Sequence, residues 1–182
     1  MLWPQVMYKQ GYPNELVIIQ MIQALAPATK VKLVVPSEKK AETVRKLIPS
    51  ALLKNESVSI IILPYLEFWA RDTGPVFVSN NTGEKAIADF NFNTWGYTDT
   101  SDAAAQVDEQ LDEQIAAMYK LPVLSTWMAS EGGNREVNGK GTLLLTETVE
   151  LHRNPGKTKA ELEPEYKRLL GVSNIIWLQQ GL

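Results

Sequence analysis

Apolar and polar positions alternate in blocks that divide the chain into short elements. Asn14 stands as a helix N-cap, and Leu16, Ile19, Ile22 and Ala26 recur at helical spacing until Pro27 stops the run. The β-branched stretch VKLVV at 31–35 reads as a strand ending at Pro36. Ser37 then caps a second amphipathic helix with Ala41, Val44, Leu47 and Ile48 on its inner face. The unbroken apolar run 58–63 predicts a strand buried on both faces, so the opening third is α-β-α-β.

The order then changes. VFVSNNTGEKAIADFNF places two apolar stretches around an Asn-Asn-Thr-Gly turn, which predicts a hairpin. Residues 102–120 put Ala104, Val107, Leu111, Ile115 and Met118 on one helical face, and LPVLSTWM follows as a strand. A second hairpin, REV and GTLLLTE around Asn138-Gly139, leads to a helix opened by the capping box Thr158/Glu161 and closed by Gly171, and SNIIWLQ is the final strand. The unit ββαβ therefore occurs twice. The buried strand at each joint between units also runs into a tryptophan and then a glycine, Trp69 with Gly74, Trp127 with Gly132 and Trp177 with Gly181, at tryptophan offsets of 58 and 50 residues. Such recurrence predicts a repeat architecture, with modules of approximately 1–68, 69–129 and 130–182, in which equivalent strand ends gather on one side. The last copy stops where the others deliver their polar residues, so the sequence reads as cut off in mid-repeat.

Composition narrows the chemistry. The 182 residues are 45% apolar, enough for a buried core, and 18 basic against 21 acidic residues give a net charge of -3, with no electrostatic footprint for nucleic acid or an anionic membrane. No apolar run approaches a membrane span, and the first residues lack the pattern of a signal peptide, which points to a soluble cytoplasmic protein. With no cysteine and a single histidine, His152, the chain offers no thiolate nucleophile and no multi-histidine metal centre, so no metal is expected. His152, in LHRNPGK, reads as a solvated loop residue.

Two carboxylates stand out. Asp72, in WARDTGP, sits between a strand and a hairpin, where Gly74 permits unusual backbone angles; its plainest alternative is a turn aspartate paired with Arg71. Glu131, in SEGGN, occupies the equivalent joint of the next unit, and Gly132-Gly133 imply a backbone passing close to something; its plain alternative is a bulge with a solvated carboxylate. Carboxylates at corresponding repeat ends beside tryptophans suit a cationic ligand, above all a planar guanidinium, through bidentate hydrogen bonds and stacking. In DFNFNTWG an extended segment would put Asn91, Asn93 and Trp95 on one side and Phe90, Phe92 and Thr94 on the other.

WARDTGPVFV, DFNFNTWG, EGGNREVNGKGTLLLTE, the RNP of LHRNPG and LGVSNIIWLQQG together resemble the agmatine deiminase and Porphyromonas-type peptidylarginine deiminase family of guanidino-group-modifying enzymes. The resemblance implies a pentein-type α/β propeller of ββαβ-like modules, here a single partial domain, 1–182, truncated before the ring closes. It implies that Asp72 grips the substrate guanidinium, that Glu131 is the glutamate paired with a catalytic histidine, and that Trp69, with Trp95 and Asn93, contacts substrate, while Arg71, Gly74, Gly132 and Gly133 shape the site. Family chemistry is covalent and needs no cofactor: a cysteine thiolate attacks the guanidinium carbon, a histidine protonates departing ammonia, and water hydrolyses the thiouronium. The family's Gly-His-x-Asp motif and its cysteine have no counterpart here, and His152 precedes the strand that should lead to that motif. The resemblance thus implies the N-terminal part of a guanidinium C–N hydrolase, inactive by itself, with agmatine or an arginine side chain as partner. The competing readings are a non-catalytic guanidinium-binding or regulatory half-ring and a ligand-free α/β scaffold. The strands left without their missing neighbours predict a homo-oligomer, a twofold dimer through residues 175–182.

Overall fold

The computed structural model describes residues 1–5, 14–98 and 101–181. The chain forms two compact units, Met1–Ala70 and Arg71–Leu182.

In the first unit, strand β1 (Val31–Val35) pairs in parallel with β2 (Val58–Ile62), Val31 opposite Val58 through Val35 opposite Ile62. The chain start extends the layer, with Leu2 bridging Val34. Helices α1 (Asn14–Leu25), α2 (Glu38–Leu47) and a short α3 (Ser50–Lys54) complete the unit. Ser37 caps α2 by accepting the Lys40 N–H at 3.3 Å, and Ala41 and Val44 are buried as the spacing predicts, but Leu47 is exposed. β2 departs from its expected burial on both faces: only Val58 is buried and Ile62 is exposed, since a two-stranded sheet leaves the far side of an apolar strand uncovered. The core is Trp3, Ile22, Leu33, Val35, Ala41, Val44, Ile48 and their apolar neighbours.

A helical turn, α4 (Ala70–Thr73), starts at the last residue of the first unit, and the second unit contains two three-stranded sheets of the same topology. β3 (Val76–Ser79) and β4 (Lys85–Asn91) form the antiparallel hairpin, and β5 (Val123–Ala129) joins β4 in parallel. The predicted single helix over 102–120 is two, α5 (Ala103–Glu109) and α6 (Leu111–Tyr119), broken at Gln110. Its buried residues are Ala105, Asp108, Leu111, Asp112 and Ala116, while Ala104 and Met118 are exposed. The second sheet repeats the pattern: β6 (Glu136–Val137) antiparallel to β7 (Thr142–Thr146), then helices α7 (Glu147–Arg153) and α8 (Lys159–Leu170), then β8 (Asn174–Leu178) parallel to β7. The Thr158/Glu161 capping box is present and Gly171 closes α8 in the left-handed conformation. His152 lies on α7, not in a loop, and is exposed. Phe90, Met128, Leu143, Leu145, Leu162, Tyr166 and Leu169 form the core.

Candidate functional site

Every predicted site residue except Trp69 belongs to the second unit; Trp69 ends the first, half-exposed with its ring stacked on Phe68 at 4.7 Å. The site is organised by the loop at 130–135, which leaves β5 and enters β6 through a tight turn at Gly132–Asn134. A side chain at Gly132 would place its Cβ 1.9 Å from the Arg71 carbonyl oxygen, and one at Gly133 would place it 2.8 Å from Asp72 Oδ1. Two glycines stand together because the loop runs directly against the α4 backbone. The approach lets the Gly133 N–H donate to Asp72 Oδ1 at 2.8 Å. Asp72 Oδ2 accepts from the Trp95 indole at 3.1 Å. Arg71 does not pair with Asp72; its guanidinium bonds Glu136 at 2.9 Å. Gly74 lines a recess beside Asp72, together with Phe90, Phe92, Asp112 and Arg135.

The alternation expected through DFNFNTWG ends at Asn91. A register shift interrupts β4 between Asp89 and Asn91, and the chain then turns at Thr94–Gly96. Thr94 and Trp95 hold φ of 51° and 57°, a left-handed pair that costs about 1–2 kcal/mol per residue in isolation. Local bonds offset it: Asn93 Oδ1 accepts the Gly96 N–H at 3.0 Å, Asn93 Nδ2 donates to the Arg153 carbonyl at 3.2 Å, and Trp95 meets Phe92 edge-on at 5.2 Å. Both polar atoms of Asn93 are therefore engaged within the protein, where they fix the turn that aims Trp95 at Asp72.

Glu131 is buried, its carboxylate paired with Arg153 Nε, and Arg153 Nη1 lies 2.7 Å from His152 Nδ1. Beneath the loop is a polar network that periodicity in the sequence does not reveal. Glu150, fully buried on α7, accepts from Ser130 Oγ at 3.0 Å, Asn134 Nδ2 at 2.8 Å and the Tyr166 hydroxyl. Burial pushes the Glu150 carboxyl up against those donors and raises the Tyr166 phenol well above its ordinary value. Asn154 grips the end of β5, accepting the Ala129 N–H at 3.0 Å and donating to the Ala129 carbonyl at 2.8 Å. Arg135 is buried with its guanidinium 3.9 Å above the Phe90 ring. On α6, burial first and the nearby Asp89 charge on β4 second push the Asp112 carboxyl up to about 8. The EGGN and RNP motifs already contained Asn134 and Asn154; Glu150 lies between Val149 and Leu151, the one signal of its burial, whereas Asp112, among Glu109, Gln110, Glu113 and Gln114, carried none.

The loop and α4 thus bring together Asp72, Trp95, Gly132, Gly133 and, two residues before Gly133, Glu131. The Asp72 carboxylate held beside the Trp95 indole is an arrangement able to accept N–H donors from a flat cation, while the Glu131 carboxylate is buried against Arg153. No group of three or more His, Asp or Glu among the described residues is arranged to hold a metal ion, and no described helix is long and apolar enough to cross a membrane.

Known proteins carry a similar fold. The chain superposes over its full length on half of an agmatine deiminase structure from Enterococcus faecalis, with a TM-score of 0.85 and 26% identity. It also covers 52% of the Campylobacter "C. Jejuni Agmatine Deiminase" at a TM-score of 0.77 and 22% identity, a likeness of fold. In sequence it is 33% identical to a Pectobacterium atrosepticum protein named "Putative agmatine deiminase", across 100% of this chain and 49% of that protein. A Streptomyces coelicolor protein of the same name is 42% identical over 63% of the chain and 34% of its own length. The chain spans half or less of the curated relatives it matches. The family model for Porphyromonas-type peptidyl-arginine deiminase matches residues 1–182. With the α/β fold, the ordered motifs and a match along its whole length, this chain belongs to the Porphyromonas-type peptidyl-arginine deiminase family.

Proposed function

We propose that this chain carries the guanidinium-gripping part of a deiminase that releases ammonia from a small guanidine, agmatine being the favoured substrate of the complete protein. The observation that carries the reading is the anchoring of Asp72 by Gly133, which ties it to the loop bearing Glu131, with the Trp95 indole on its other oxygen. In this reading Asp72 takes the guanidinium N–H groups, Glu131 orients the histidine that handles the ammonia proton, Trp95 flanks the substrate, and a thiolate forms the thiouronium. Asn93 acts on the substrate through Trp95, since its own amide is engaged. The two sheets of identical topology, with the parallel pair before them, support modules of approximately 1–68, 69–129 and 130–182 in a propeller-type pentein arrangement.

The sequence has no cysteine, so the thiolate step has no nucleophile in these 182 residues, which favours binding without turnover for this chain by itself. Isothermal titration with agmatine tests the reading: wild-type chain is expected to bind and Asp72→Ala to lose at least tenfold in affinity, about one charge-assisted hydrogen bond. Equal affinity in both would remove Asp72 from the role. Ammonia release above a no-protein control, abolished by Asp72→Ala, would overturn the inactivity. Exposure of Ile176 and Leu178 on β8 supports self-association through this strand. Sedimentation showing a monomer at micromolar concentration would remove that part of the reading.

A further inference from the structure

The loop at 130–135 has only short backbone bonds of its own, Asn134 N–H to the Glu131 carbonyl at 3.1 Å and Arg135 N–H to the Gly132 carbonyl at 3.3 Å. A turn of this kind, with two glycines and an exposed Gly133, has no intrinsic reason to hold one geometry. Side chains close it: Glu150 accepts from Ser130 Oγ and Asn134 Nδ2, Asn134 also clamps the Thr146 backbone, and Arg135 bends back so that its Nη1 donates to the Ser130 carbonyl at 2.6 Å, joining the last residue of the loop to the first. Its guanidinium is fixed from another side by the Phe90 ring at 3.9 Å. Desolvation disfavours this buried cation, the negative charges of Glu150, Glu131 and Asp72 offset that cost, and the same side chain lines the recess that Asp72 borders.

We infer that Arg135 is a positioning residue for the carboxylate site: as a strut across the loop it holds Glu131 in place and keeps the Gly133 N–H on Asp72, and its planar fork and stacking matter more than its charge. The inference rests on the guanidinium-binding reading above for its functional meaning, and on the loop geometry alone for its structural content. An arginine is suited to the role because one rigid plane both stacks on Phe90 and directs an N–H at a carbonyl, whereas a lysine ammonium can supply the charge but not that geometry. If Arg135 acted only through its charge, removing it would deepen the negative potential around Asp72 and Glu131 and strengthen cation binding. If it acts as a strut, removing it weakens binding although the site becomes more negative. The two roles predict changes of opposite sign.

The test compares the wild-type chain with Arg135→Lys and Arg135→Met, using agmatine titration, the exchange rate of the Gly133 amide and the Trp95 indole proton resonance of the ligand-free protein. The strut predicts that both variants lose about tenfold in agmatine affinity, the worth of a hydrogen bond from a charged donor. Gly133 exchange should rise and the Trp95 indole resonance should move in both, while protection of β7 and α8 amides is kept. Wild-type behaviour of Arg135→Lys, or tighter binding by Arg135→Met, overturns the inference in favour of charge. Loss of cooperative folding in both variants overturns it in favour of a general core role. Failure of the wild-type chain to bind agmatine would sink the guanidinium reading; the Gly133 and Trp95 signals would then decide the strut by themselves.

Discussion

The two units solve burial in opposite ways. Among the described residues, the interior of Met1–Ala70 buries no charged side chain, and its core is Trp3, Ile22, Leu33, Val35, Ala41, Val44 and similar groups. The interior of Arg71–Leu182 buries Asp89, Asp108, Asp112, Glu131, Arg135 and Glu150 with Asn93 and Asn154. Apolar groups gain about 25 cal/mol for each Å² withdrawn from water without regard to direction, whereas each buried charge is tolerable only when partners are placed around it. The first unit therefore has the character of a scaffold. In the second, the bonds of Glu131, Arg135 and Glu150 converge on the loop that holds Asp72. A protein retains such buried polar groups where geometry at a site matters more than stability.

Removing Glu150 should have the largest effect on that contrast. Glu150→Ala leaves Arg135 buried with less compensation and strips acceptors from Ser130, Asn134 and Tyr166, for an expected loss of about 3–5 kcal/mol. Hydrogen exchange should show the loss in β7 and α8 while β1 and β2 keep their protection. An equal loss in both units would break the distinction between them.

The pH dependence of stability sharpens the same comparison. Asp112 has a folded value of about 8 against an ordinary 3.8, so the folded protein holds a proton that the unfolded chain releases. Its contribution is fully present below pH 4 and is lost as pH rises toward and through 8. Glu109 and Glu150 are shifted in the same direction, each chiefly by burial. Denaturation of the second unit should thus become easier from pH 5 to pH 8.5, and Asp112→Asn should flatten the profile. A first unit that tracked the same slope would contradict its apolar description.

Gly132→Ala should cost about 1–3 kcal/mol, because a Cβ 1.9 Å from a backbone oxygen forces the loop or α4 to move. The Trp95 indole resonance should shift as Asp72 loses Gly133. An unperturbed indole would show that Asp72 is held by other means.

The smallest effect belongs to the first unit. Ser37→Ala removes the cap on Lys40 N–H and should cost about 1 kcal/mol, felt in α2 and without consequence for the Trp95 resonance. A circular dichroism melt and one proton spectrum check both statements.

The sequence by itself determined what depends on neighbours within a few residues. Strand β1, the two hairpins with their Asn-Gly and Asn-Asn-Thr-Gly turns, the Ser37 cap, the Thr158/Glu161 box and the Gly171 stop were legible because φ/ψ preferences and local bonds decide them. The glycine pair at 132–133 pointed to a close approach, which the structure bears out at the Arg71 carbonyl and Asp72. Tertiary structure decided the rest. The helix over 102–120 was expected to bury the face with Ala104 and Met118, but it breaks at Gln110 and buries Ala105, Asp108, Asp112 and Ala116 instead, a choice made by what it packs against and not by its own spacing. Asp72 was visible as a candidate, but its partners, Gly133 at 61 residues' distance and Trp95 at 23, were not. Nor was the preference of Arg71 for Glu136. Such pairings follow from which strand ends meet in space, and the direction of a hydrogen bond between distant segments leaves no periodic trace in the chain.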